Sequence, residues 1–548
     1  MPTQVRTRVR RSLTIGAVTS VLALGALPAL AADGGTTAPD PVDLMGEFNN
    51  YWTPLTYDAT SDETKAATAF RGTVLPAGEE ILEQNDSTLV AVNHAGAADQ
   101  TQAHRALVDA DYDWKQTLPD ALGPVLGTYF AEGVADGELP LTTDAITTAG
   151  AGANTGTAKP FFNFPRPFLD DRTSGGESDL RSLRANLGIA EIPDWKDPAT
   201  GRTHTAGYAS LLAGFSQAFP SGHTTYAYTV GLELATLLPQ LGTEIVTRSS
   251  EAGNNRIVLG VHYPLDVMGG RIVGHSQVAA KLSDPSYVSG TVLPAQSELA
   301  DYLASRCAAD GHGETLEECI DEVGAADEGG YTNAFTDAVS QAPVTDRASA
   351  LTAYRARMTY GFSQVGSVGR AAVVPEDAES LLVTAFPTLS ADQRRAVLAA
   401  TEIDSGYPLD SSSLGWQRID LPAALSAKVT LDADGTVVSV ETGQATASVV
   451  TDEPTTDPTG EPTTDPSTDP VPDPSDQGTV PTDDPTTDPV DNATSPAAAD
   501  TATASVSAAG PAGLAHTGSD AAGVGVLATL LAVCGIAAAA VARRRMRD

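Results

Sequence analysis

Residues 220–238 read PSGHTTYAYTVGLELATLL, and this stretch sets the expected architecture. Ser221 has the side chain of a helix N-cap, and the apolar run from Tyr226 to Leu238 follows at helical length. Gly222 admits close approach to the backbone. A helix that begins this way presents unpaired N–H groups in its first turn, an arrangement suited to an anion, with His223 at the rim.

Two more blocks lie on either side. Upstream, Lys159 precedes Arg166-Pro167; downstream, Arg256 precedes His262, and Asp266 follows His262 by four residues. Lys159, Arg166 and Arg256 are cations, and arginine offers a planar fork to phosphate oxygens. His223 and His262 can exchange a proton or attack near neutral pH. The spacing of His262 and Asp266 puts both on one helical face, where the carboxylate can orient the imidazole, and Pro264 suits the first helical turn. Phosphoryl transfer needs fixed cations around the equatorial oxygens, a nucleophile on one side and a proton donor on the other. The three blocks supply each part without a metal or other cofactor.

The pattern of Lys, six residues, Arg-Pro, then Pro-Ser-Gly-His, then Arg, five residues, His, three residues, Asp resembles the type 2 phosphatidic acid phosphatase superfamily. That superfamily includes soluble bacterial acid phosphatases and vanadium-dependent haloperoxidases. Asn255 stands where the family pattern has Ser. The resemblance covers residues 40–281 and implies a mainly α fold, a helical bundle with the blocks converging at one end. It implies that His262 is the nucleophile forming a phosphohistidine, His223 the general acid and Asp266 the partner of His262. Lys159, Arg166, Ser221, Gly222 and Arg256 would bind the phosphoryl oxygens of a phosphate ester. Vanadate would inhibit; in the alternative reading it is the cofactor of a haloperoxidase. A non-enzymatic wall adhesin on the same scaffold is the other alternative, against which the retained polar residues argue.

The remaining histidines, His94, His104, His204, His275 and His312, show no metal-ligand spacing and read as loop or surface residues, with His204 a candidate to line the pocket. Cys307 and Cys319 fall in one polar segment, where an oxidising compartment favours a disulfide; Cys534 lies in the terminal apolar stretch.

The ends speak to location. Residues 1–31 combine arginines, an apolar stretch and Ala29-Leu30-Ala31, the form of a secretory signal peptide; the Arg10-Arg11 pair leaves twin-arginine export open. Leu514-Ala515-His516-Thr517-Gly518 precedes an apolar segment at 521–542 and a basic tail. This resembles the LAxTG sorting signal of Gram-positive actinobacteria, which implies sortase cleavage between Thr517 and Gly518 and attachment to peptidoglycan. A plain membrane anchor is the alternative, since about 20 apolar residues span a bilayer. Residues 446–513 form a Thr/Asp/Pro-rich stretch that reads as a disordered stalk.

Acidic residues number 70 against 32 Lys and Arg, a formal charge of -38, which excludes a general nucleic-acid binder. Between these ends the chain divides into a core at 32–285 and a helical extension at 286–445 that ends in a hairpin; the extension could be a lid, a second layer or a separate module. Helical spacing marks 61–70, 98–111, 120–135, 224–238, 266–282, 296–306, 345–360, 375–386 and 391–401. Strands are expected at 428–431 and 436–440 around the turn Asp432-Ala433-Asp434-Gly435. No run between Ala32 and Pro511 reads as a bilayer span.

Overall fold

The computed structural model describes residues 36–169, 187–324, 330–333, 338–410, 414–444 and 446–451. The stretches read above as a signal peptide, most of that read as a stalk, and that read as a sorting signal, with Thr517, Gly518 and the apolar segment, lie outside them.

The protein is mainly helical. Its longer helices are α1 (Glu79–Ala98), α2 (Gln100–Asp109), α3 (Gly123–Asp136), α4 (Pro140–Gly152), α5 (Gly222–Leu237), α6 (Gly242–Val258), α7 (Pro264–Leu282), α8 (Leu293–Asp310), α9 (Leu316–Val323), α10 (Arg347–Thr359) and α11 (Ala391–Thr401). Among the described residues no helix is long and apolar enough to cross a membrane.

Helix α5 begins where its sequence indicates, with Ser221 Oγ accepting from the Thr224 N–H. It packs against α4, α6, α7 and α8. Every residue of α6 is buried, because α1 and α2 cover one side while α5, α7, α10 and a short helix at Leu421–Leu425 cover the rest. Small residues set these close crossings. A Cβ on Gly231 would lie 1.8 Å from Ser249 Oγ.

The described residues between 286 and 444 form a second layer on the same core. One continuous apolar cluster runs from Leu44 through Leu234, Ile257 and Val273 to Leu303, Met358, Leu382, Trp416 and Val429. Polar ties cross the same boundary: Arg347 pairs with Glu244 at 2.7 Å, and Arg271 donates to the Gln417 carbonyl at 3.0 Å. Cys307 on α8 is joined to Cys319 on α9.

The structure corrects several expectations. Residues 375–386 form only a short 3₁₀ turn, Ala378–Leu382, entered through Asp377 at a left-handed φ of 63°. The hairpin of β5 (Lys428–Leu431) and β6 (Val437–Glu441) follows β1 (Trp52–Pro54) paired with β2 (Gly72–Val74), and β3 (Trp195–Lys196) paired with β4 (Thr203–His204). The hairpin gains a third strand, β7 (Ser448–Thr451), parallel to β5, so the first residues assigned to the stalk belong to this sheet. The spare histidines are not all loop or surface residues: His94 is exposed but on α1, half-buried His104 is on α2, and His204 and His275 are fully buried.

Candidate active site

The loop that carries His262 leaves α6 through a Schellman closure. The Val261 N–H returns to the Arg256 carbonyl at 3.2 Å and the Gly260 N–H to the Ile257 carbonyl at 2.8 Å, with Gly260 at φ 65°. The spacing from Arg256 to His262 therefore spans a helix end, and the closure folds His262 back toward the end of the helix that carries Arg256. Helix α7 then starts with Pro264, and Asp266 in its first turn reaches back to the Tyr263 N–H at 2.9 Å. The same Oδ2 lies 3.0 Å from His262 Nδ1.

His262 is held from both sides. Arg166 Nη1 lies 2.8 Å from its Nε2. A guanidinium only donates, so Nε2 is the accepting nitrogen and the ring proton sits on Nδ1, directed at Asp266. Arg166 is itself fixed by the Ser216 carbonyl and hydroxyl, each at 2.8 Å, and by the Val261 carbonyl at 3.0 Å. The pair is fully buried, which disfavours a charged imidazole. Burial first, then the charges of Arg166, Lys159, Arg256 and His223, hold His262 well below the usual histidine range. Burial pushes Asp266 up to about 7, opposed by the Tyr263 N–H and by Arg166 and Lys159.

The other blocks close on the same point. Ser221 donates its N–H to the Asp266 carbonyl at 2.9 Å, so the start of α5 is bonded to the start of α7. Gly270 makes this approach possible, since a Cβ there would lie 2.7 Å from the Ser221 carbonyl oxygen. Lys159 donates to the Gln217 carbonyl at 2.9 Å and runs past Gly222, whose added Cβ would sit 3.8 Å from Lys159 Cε. Arg256 is buried on α6. Half-buried His223 has Nε2 3.3 Å from the Ala110 carbonyl and its ring edge-on to Tyr112.

The structure thus gathers Lys159, Arg166, Ser221, Gly222, His223, Arg256, His262 and Asp266 around one imidazole. His204 is not among them; it pairs with Asp111 at 2.9 Å and stacks on Trp195. Asn255 anchors a neighbouring turn, since its amide donates to Asp109 Oδ2 at 2.7 Å, and Asp109 also takes both terminal nitrogens of Arg248. Ser216, Asp109 and Tyr112 carry no motif signal, and the sequence pattern does not single them out. They act through a carbonyl, a buried ion pair and a ring contact, which only the fold brings into place.

Residues 142–282 match the family model of the PAP2 superfamily, a span that contains all the residues gathered here. The chain is 38% identical over 74 residues to an acid phosphatase of Zymomonas mobilis subsp. mobilis, an alignment covering 14% of this chain and 28% of that protein. It is 35% identical over 69 residues to non-specific acid phosphatases of Salmonella typhi and Providencia stuartii, covering 13% of this chain and 28% of each relative. The chain therefore spans little more than a quarter of the length of these relatives.

Proposed function

We propose that this protein is a metal-independent acid phosphatase that hydrolyses phosphomonoesters through a phosphohistidine. The observation that carries this reading is the opposed bonding of His262, with Nε2 as acceptor toward Arg166 and Nδ1–H toward Asp266. The likeness to acid phosphatases over the motif region supports it.

A phosphoryl group placed against Nε2 takes the place of the Arg166 Nη1–H on its lone pair, and its oxygens are then met by Arg166, Lys159, Arg256 and the N–H groups at the start of α5, which neutralise the charge that develops. Nε2 attacks phosphorus, the bond to the ester oxygen breaks, and protonated His223 gives its proton to the leaving alkoxide. Asp266 balances the charge on the phosphorylated imidazole through Nδ1–H. Water then attacks the phosphohistidine, neutral His223 takes its proton, and inorganic phosphate leaves with His262 restored. The depressed basicity of His262 keeps Nε2 unprotonated in mildly acidic medium, where an acid phosphatase works.

The test is a rapid alkaline quench of turnover with a phosphorus-labelled aryl ester in excess chelator. Label on His262, and its loss with all turnover in His262→Ala, is the expected result. Turnover without label, or activity that vanishes in chelator and returns with a divalent ion, overturns the mechanism.

The location we propose, a secreted enzyme attached to the cell wall through Thr517, rests on the terminal sequences. Wild-type protein should be released by muralytic digestion; intact chain extracted by detergent with its arginine tail would mean a membrane anchor.

A further inference from the structure

Tyr112 is one of eight non-glycine residues with a positive φ among the described residues, at φ 59°. A bulky residue held there carries strain that persists only where the surroundings over-determine it, and such positions cluster at functional sites. The surroundings here do so. Three residues earlier in the turn, buried Asp109 is clamped by Arg248 at 2.7 and 3.1 Å and by Asn255 at 2.7 Å, which ties the turn to the helix bearing Arg256. On the other side of Ala110, Asp111 takes His204 Nδ1 at 2.9 Å and Arg202 at 3.1 Å.

What this pinned turn holds is His223. The Ala110 carbonyl lies 3.3 Å from His223 Nε2, and a carbonyl only accepts, so Nε2 keeps its hydrogen in both charge states. The proton that comes and goes is then the one on Nδ1. A hydrogen bond of 3.3 Å does not by itself fix the tilt of the ring about that axis, and Tyr112 adds a restraint on it. Its ring meets His223 edge-on, centroids 5.0 Å apart at 79°, and stacks on Tyr226 at 3.8 Å. Tyr226 is one helical turn beyond His223 on α5, and its hydroxyl accepts from the Trp114 N–H at 3.3 Å, so the platform is itself fixed.

We infer that Tyr112 is a positioning residue for the proton donor: with the Ala110 carbonyl it locks the His223 ring so that Nδ1 is the atom that protonates the leaving group. This rests on the phosphatase reading above. Tyr112 touches neither phosphorus nor the nucleophile, so its effect must appear in proportion to how much proton donation the leaving group requires.

The experiment compares kcat/KM for p-nitrophenyl phosphate, a good leaving group, with that for an alkyl phosphate. Tyr112→Asn removes the ring while asparagine tolerates the left-handed backbone; Tyr112→Phe keeps the ring. Tyr112→Asn should lose about tenfold more on the alkyl ester than on the nitrophenyl ester, while Tyr112→Phe keeps the wild-type ratio within about twofold. Tyr226→Leu, which removes the platform but leaves Tyr112 and the Asp109 and Asp111 ion pairs in place, should show the same selective loss and keeps the test open if Tyr112→Asn fails to fold. Equal losses on both esters, or none, would overturn the assignment. His223→Ala separates the two levels of argument: if it shows no leaving-group selectivity, the acid role of His223 fails, whereas selectivity in His223→Ala but not in the Tyr112 and Tyr226 variants overturns only the positioning role.

Discussion

At the scale of single residues, the buried histidines divide by their partners. His262 has a donor on one nitrogen and an acceptor on the other. His275, on α7, has neither nitrogen hydrogen-bonded among the described residues and sits edge-on to Tyr228 at 5.3 Å. Burial and then Arg271 hold His275 well below the usual histidine range. The sign of the pH effect follows. Between that depressed value and about 6.5 the unfolded chain binds a proton that the folded chain refuses, so stability falls as the medium becomes more acid. Asp266 works the other way, because a carboxyl raised to about 7 binds its proton more readily when folded. It is common to wild type and variant and drops out of their difference. His275→Leu removes an unpaired buried polar ring and should stabilise the protein by about 1 kcal/mol at pH 7 and more at pH 5. Thermal unfolding across pH is the measurement, and equal melting points at both pH values would show that the ring is satisfied. The charged residues of the site are legible in the sequence because chemistry restricts them to few residue types at fixed spacing. His275 is not, since a buried histidine and an exposed one look alike until the neighbours of α7 are known.

At the scale of elements, a helix is legible in the sequence where an apolar run or a regular apolar stripe marks it, as in α5 and α7, and is hidden where polar residues break that pattern. Periodicity places α11 at its observed bounds, where exposed Asp392 and buried Val397 and Leu398 alternate at helical spacing. It gives no sign of α6. That helix carries Thr, Arg, Ser, Glu and Asn residues yet is buried on every side, so its polar groups meet other protein groups, as in the Arg248–Asp109 pair, and no apolar stripe marks it. Helix α1 is hidden too, because Asn85 is buried to bond the Leu265 N–H at 3.0 Å and so looks like a helix breaker. The closure of α6 is the element on which the site depends most. Gly260→Ala forces a Cβ into the left-handed region and to within 2.3 Å of Ile189 Cγ2. The variant should lose about 2 kcal/mol of stability, part backbone and part crowding. Its kcat should fall further than its KM rises, because the closure sets where His262 stands relative to Arg256. A variant with wild-type melting and wild-type kcat would mean that the closure is incidental.

At the scale of the whole molecule, the half that carries the three motif blocks and the extension share one core, a point the sequence left open between a lid, a second layer and a separate module. Helix α10 and the Leu421–Leu425 helix cover α6, the 378–382 turn lies against α7, and α8 packs on α3, α4 and α5. A chain ending at residue 285 would expose the contacts of Leu299, Leu303, Met358, Leu382, Trp416 and Leu425, all buried members of one cluster. At roughly 1.5–3 kcal/mol for each large apolar side chain buried, these six contribute about 9–18 kcal/mol, as much as the whole 5–15 kcal/mol by which domains are stable. The cut would also strip Glu244 of Arg347 and leave Arg271 without Gln417, and a buried charge without its partner costs more than the pair contributes. Residues 36–285 alone should therefore aggregate, whereas residues 36–451, which keep β7 in its sheet, should unfold in a single transition that removes activity and helicity together. A folded and active 36–285 fragment, or two separated transitions in 36–451, would show that the extension is an independent module and that the site needs only the residues its motifs span.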